Sequence, residues 1–194
     1  MRRSTREESC AILDNGVLLA TGPITGGIEH AQLFSRWNTR NLCLSALIAA
    51  LYAALTLAFQ PISYGAVQFR ISEAMTLLPA LFPQAVPGLA LGCLISNLFN
   101  PMGATVYDVI FGTLATLIAA LMTRRMKGSL WKRALPPVLC NAVIVGLVLT
   151  YAYGIDLLWM NMLTVGLGEA AVCYLLGVPM VKLLQRRDLS RWQM

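Results

Sequence analysis

The sequence predicts an all-α, polytopic membrane protein with six transmembrane helices, and three observations carry that prediction. Hydrophobic residues make up 57% of the 194-residue chain and charged residues 12%, against roughly 25% charged in a soluble domain. The few charges leave long gaps: Asn41 to Phe69, Ala74 to Tyr107 and Ala134 to Ile155 carry none. About 20 apolar residues, rising 1.5 Å each, cross a bilayer core, so each gap has room for at least one crossing.

Residues 1–37 stand apart from the rest. They hold Arg2, Arg3, Arg6, Glu7, Glu8, Asp14 and Glu29, with a Thr/Gly/Pro stretch from Thr21 to Gly27. The Ile12–Ala20 patch is too short and interrupted for a signal peptide. A poorly ordered N-terminal extension is expected here, or a start assigned upstream of the functional chain. The membrane domain is expected over 38–185, with 186–194 a cytoplasmic tail. Its apolar runs place spans near 42–60, 72–84, 87–100, 106–123, 135–153 and 158–182. The second and third share the uncharged stretch from Ala74 to Tyr107, broken by Pro79, Pro83, Pro87 and Gly88. That stretch is too long for one helix and short for two full crossings, which predicts a hairpin of two short or tilted helices.

Lys and Arg set the orientation. Arg36 and Arg40 precede the first span, Arg124, Arg125, Lys127, Lys132 and Arg133 join the fourth to the fifth, and Lys182, Arg186, Arg187 and Arg191 follow the sixth. With six spans all of these lie on one side, so both termini are expected in the cytoplasm of a cell-membrane protein. The net charge of +6 then marks the inner loops rather than a nucleic-acid surface.

Several chemistries are excluded. Cys10, Cys43, Cys93, Cys140 and Cys173 form no CxxC pair and read as small apolar residues. His30 is the only histidine and lies outside the spans, so no histidine metal site and no nucleophile–base pair can be assembled, and no cofactor is implied. No GxxxxGK[ST] loop is present, so the chain cannot itself hydrolyse ATP in the Walker manner.

The outer side is acidic. It holds Arg70 against Glu73, Asp108 and Asp156, with Glu169 inside the last span. Excess carboxylates suit a cationic ligand, or one with several N–H donors. Glu169 is eleven residues in from Leu158, about 16 Å deep. A charge there costs about 2.5–3.5 kcal/mol on insertion scales, so it calls for a partner or ligand. The alternative is a neutral Glu169 bonded to a neighbouring helix. Arg70 and Glu73, three apart, share a helix face near the rim, either as ligand contacts or as a self-paired surface bridge. Asp108 opens the fourth span, as ligand contact or as N-cap. Asn97, Asn100 and Tyr107 add amides and a phenol to the same rim, Asp156 reads as solvated, and Asn141 as a helix–helix bond. In the first span Ser45, Ala49 and Ala53, and beside them Ala46, Ala50 and Ala54, recur every four residues. They form a flat surface for close packing, within the chain or against a partner.

The run Val67-Gln68-Phe69-Arg70-Ile71-Ser72-Glu73-Ala74-Met75-Thr76-Leu77-Leu78-Pro79 resembles the QueT family, the substrate-binding S components of energy-coupling factor (ECF) transporters assigned to queuosine precursors. Asn38-Thr39-Arg40, Pro87-Gly88-Leu89 with Gly92 and Asn97, Asp108-Val109-Ile110-Phe111-Gly112, Asn141-Ala142 and Gly168-Glu169 are similar to the same family. The resemblance spans roughly 38–185. It implies a six-helix subunit that captures its ligand at the outer face and joins a transmembrane T component and two ABC-type ATPases. It implies docking through Ala46, Ala49, Ala50, Ala53 and Ala54, and matches Glu73, Asp108 and Glu169 to family positions. A 7-aminomethyl-7-deazaguanine offers an N–H edge and an ammonium to such carboxylates. The competing reading is a self-sufficient, proton-coupled transporter of a small cationic solute, with Glu169 as its carboxylate; no internal repeat between the halves supports it.

Overall fold

The computed structural model describes residues 38–64, 69–100, 105–154 and 157–186. The expected N-terminal extension, most of the tail and Asp156 lie outside them. All regular structure among the described residues is helical, as the sequence predicts.

Six helical segments follow the six apolar runs. α1 is Thr39–Ala58, α2 is Ile71–Ala80 and α3 is Ala85–Leu98. α4 covers 106–125, α5 is Leu135–Tyr151 and α6 covers 158–186. Proline sets several ends: Pro61 falls in the first turn after α1, and Pro136 in the first turn of α5, where a missing N–H costs nothing. Three helices are long and apolar enough to cross a membrane: Thr39–Ala58, Leu130–Tyr151 and Leu158–Arg186. Their outward rows are apolar. Leu47 and Leu51 on α1, Leu139, Val143 and Leu147 on α5, and Leu163 and Leu167 on α6 are all exposed, as helices facing lipid require.

The expected hairpin consists of two short helices of different winding. α2 is a 3₁₀ helix of 10 residues, so at 2.0 Å per residue it reaches about 20 Å. The 14-residue α-helix α3 reaches about 21 Å. The wider rise lets a segment too short for an α-helical crossing extend as far as its neighbour. Where the hairpin turns, the Ala80 carbonyl accepts from Arg133 Nη1 at 3.2 Å and the Gln84 carbonyl from Ser45 Oγ at 2.8 Å. Its tip therefore lies at the end of the bundle that carries the basic α4–α5 connection.

α2 is also the centre of the bundle. Its residues from Ser72 to Pro79 are all buried. α1 and α3 pack at very close range: a Cβ on Gly92 would lie 2.8 Å from the Ala49 carbonyl oxygen and 2.8 Å from Tyr52 Cβ, and one on Gly88 2.7 Å from the Ser45 carbonyl oxygen. This separates the two small-residue stripes. Ser45, Ala49 and Ala53 are buried, and Ser45 and Ala49 meet the glycines of α3. Ala46, Ala50 and Ala54 face outward. Ala49 and Ala53, expected on the docking surface, are occupied inside the chain.

Candidate binding site

The polar groups buried around α2 come from five helices. From α1, the Tyr52 hydroxyl donates to Glu73 Oε1, and Thr56 and Ser72 join hydroxyls at 2.7 Å. From α4, Thr116 Oγ1 lies 3.5 Å from the same Glu73 oxygen and 3.3 Å from Cys93 Sγ on α3. One turn along α3, Asn97 donates to the Asp108 carbonyl at 3.1 Å and accepts from Arg70 Nη2 at 3.3 Å. From α5, Asn141 Nδ2 donates to Glu169 Oε1 at 2.9 Å. On α6, Cys173 Sγ sits 3.8 Å from Glu169 Oε1 and 3.8 Å from the Glu73 carbonyl, linking the two acidic residues.

Local winding makes these approaches possible. α4 is π-wound over Asp108–Gly112 and α6 over Cys173–Gly177, and such widened turns often occur at functional sites. At Gly112 a Cβ would come within 2.7 Å of Asn97 Nδ2, so a larger residue would push away the amide that bonds the Asp108 carbonyl. Phe69 and Arg70 precede α2, and Arg70 is extended rather than helical. That backbone is tied to the turn after α1 by Phe69 N–H to the Ile62 carbonyl at 2.9 Å and by Arg70 Nε to the Ser63 carbonyl at 3.4 Å. Arg70 also lies over the Tyr64 ring, 5.1 Å from its centroid.

One atom of this network is unsatisfied. Glu73 Oε2 is buried and has no hydrogen-bond partner, although Oε1 beside it accepts from Tyr52. A buried acceptor left unpaired costs about 1–3 kcal/mol, and more when charged. It is the feature of the site that most plainly calls for a donor from outside the chain.

The structure thus brings together Arg70, Glu73, Asn97 and Glu169, all buried. It moves Glu73 from the expected rim into the core, since α2 is buried from Ser72 to Pro79. Arg70 turns to Asn97 and the Ser63 carbonyl, in place of a surface bridge to Glu73. Asn141 makes its expected helix–helix bond, and makes it to Glu169. Asp108 serves the start of α4: Thr105 Oγ1 accepts from the Asp108 N–H at 3.3 Å, and Asp108 Oδ2 accepts from the Thr105 N–H at 3.4 Å. This is a capping box with Thr105, not Asp108, at the N-cap position. Tyr153 donates to the same carboxylate, so only the Asp108 carbonyl enters the buried network. Tyr107 is exposed and stacks on Phe111 with centroids 6.3 Å apart; it is not part of the cluster. Sequence reasoning missed Tyr52, Cys93, Thr116 and Cys173. The usable signal was helical spacing, since Cys93 stands four residues before Asn97 and Cys173 four after Glu169.

The sequence profile of a family described as QueT transporter matches residues 42–186, which takes in every residue of this network. The chain belongs to the QueT transporter family. It is 29% identical over 168 residues to the queuosine precursor transporter QueT of Lactococcus lactis subsp. cremoris (strain MG1363), covering 79% of this chain and 98% of that protein. No solved structure matches. In this QueT-family chain the matched region begins within α1 and ends with α6, so the family likeness and the helical bundle coincide.

Proposed function

We propose that this chain is the substrate-binding subunit of an ECF-type importer. It captures a queuosine precursor of the 7-deazaguanine type at the outer face of the cell membrane, for uptake driven by ATP hydrolysis on partner subunits. The observation that carries this reading is the unpartnered Glu73 Oε2, buried beside Glu169, Arg70 and Asn97 in a QueT-family chain. A deazaguanine presents several N–H donors to such acceptors, and a charge-assisted bond in a dry site is strong. The core offers no ATP-hydrolysing motif, so the energy comes from elsewhere.

Orientation belongs to the same reading. The basic α4–α5 connection and both termini face the cytoplasm, and the α5–α6 connection faces outward. Cysteine labels placed at Gly128 and Gly154 are expected to react from opposite sides of the membrane. Reaction of both from one side would overturn the orientation.

The partner surface in this reading is the outward stripe of Ala46, Ala50 and Ala54. Small residues let a T-component helix approach closely. Ala50→Trp is expected to leave ligand binding near the parent level while abolishing co-purification with the T component and uptake of labelled ligand. Retained assembly and uptake would place docking elsewhere. Uptake by the chain alone, driven by a proton gradient, would establish a self-sufficient transporter instead.

A further inference from the structure

Three formal charges are buried among the described residues: Arg70, Glu73 and Glu169. They do not balance, since two carboxylates share the interior with one guanidinium. Arg70 has also turned its N–H groups to Asn97 and the Ser63 carbonyl, while Cys173 Sγ lies 3.8 Å from the Glu169 carboxylate and 3.8 Å from the main-chain carbonyl of Glu73. The other titratable groups facing the pair are Tyr52 from α1, Cys93 from α3 and Cys173 from α6, none of them cationic. α4 and α5 contribute Thr116 and Asn141, which do not titrate. A surplus negative charge in a low-dielectric interior is neutralised by a proton when nothing else supplies a positive charge.

We propose that the free site holds one proton between Glu73 and Glu169, and that a monocationic ligand binds in exchange for it. The inference rests on the reading of the chain as a deazaguanine-binding subunit, and narrows it to 7-deazaguanines that carry an ammonium side chain. In the exchange a carboxylic O–H bond breaks, the proton passes to solvent, and an ammonium N–H takes its place on the carboxylate. Glu73 Oε2 is the acceptor left open for it, because Tyr52 holds Oε1. An alkylammonium remains charged at pH 7. A nitrile in the same position has neither charge nor N–H, so it leaves both the proton and the open acceptor as they were.

Calorimetric titration of the full chain in detergent distinguishes the two cases, using 7-aminomethyl-7-deazaguanine, 7-cyano-7-deazaguanine and guanine, each in phosphate and in Tris. The aminomethyl compound is expected to bind about 10- to 100-fold more tightly than either neutral base. Its apparent enthalpy should differ between the buffers by the release of about one proton per ligand. In Glu73→Gln the surplus charge is gone, and proton release should fall close to zero. Equal affinity for the nitrile, or a buffer-independent enthalpy for the aminomethyl compound, overturns the exchange and leaves the deazaguanine reading standing. Failure of all three to bind overturns both.

Discussion

In the Glu73→Gln variant, affinity for the ligand falls about 10- to 150-fold, the equivalent of losing one charge-assisted hydrogen bond of about 1.5–3 kcal/mol. The shape of the side chain is kept, and its amide oxygen can take the place of Oε1 between Tyr52 and Thr116. The NH₂ group then stands where the open acceptor was, and meets the ligand donor to donor. Glu169→Gln should cost less, because Glu169 Oε1 already accepts from Asn141 at 2.9 Å. Calorimetric titration of parent and both variants settles the ranking. Undiminished binding in Glu73→Gln, with a large loss in Glu169→Gln, would move the site to α6.

Gly92→Val should be among the most destabilising single changes in the chain, at or above the upper end of the about 1–3 kcal/mol typical of overpacking. The first added carbon would lie 2.8 Å from the Ala49 carbonyl oxygen and 2.8 Å from Tyr52 Cβ. The oxygen is helix backbone and cannot swing aside, so α1 and α3 must separate. Separation draws Tyr52 away from Glu73, and ligand binding should fall along with the thermal midpoint. Gly92→Ala should show the same two effects in smaller degree. Thermal unfolding in detergent, with and without ligand, measures both. An unchanged midpoint in Gly92→Val would show that α1 and α3 do not pack through Gly92.

The helices were legible because charge-free length and proline breaks are properties of the chain itself. The winding of α2 was not. A ten-residue segment with one internal proline reads alike as α or 3₁₀, and the choice is made by the neighbours that enclose it. The same limit applies to the alanines of α1. Their four-residue spacing defines two stripes, yet only the matching pair Gly88 and Gly92 on α3 decides which one turns inward. In the site, Glu73, Arg70, Asn97 and Glu169 could be found because charge and amide groups stand out in an apolar sequence. Tyr52, Thr116 and the two cysteines could not, since each is an ordinary residue of a membrane helix until the fold sets it against a carboxylate.

A segment enclosed from Ser72 to Pro79 has no side turned to lipid. Mismatch between protein and hydrocarbon thickness acts on helices that meet the acyl chains, through tilt and local thinning. Here those helices are α1 and α3 to α6, each of which exposes large apolar side chains. Changes in membrane thickness therefore reach Glu73 only second-hand, through contacts such as the Tyr52 hydroxyl on α1, Thr116 on α4 and Cys173 on α6. The Glu73 carboxylate is suspended inside the bundle, insulated from the lipid in which the bundle floats.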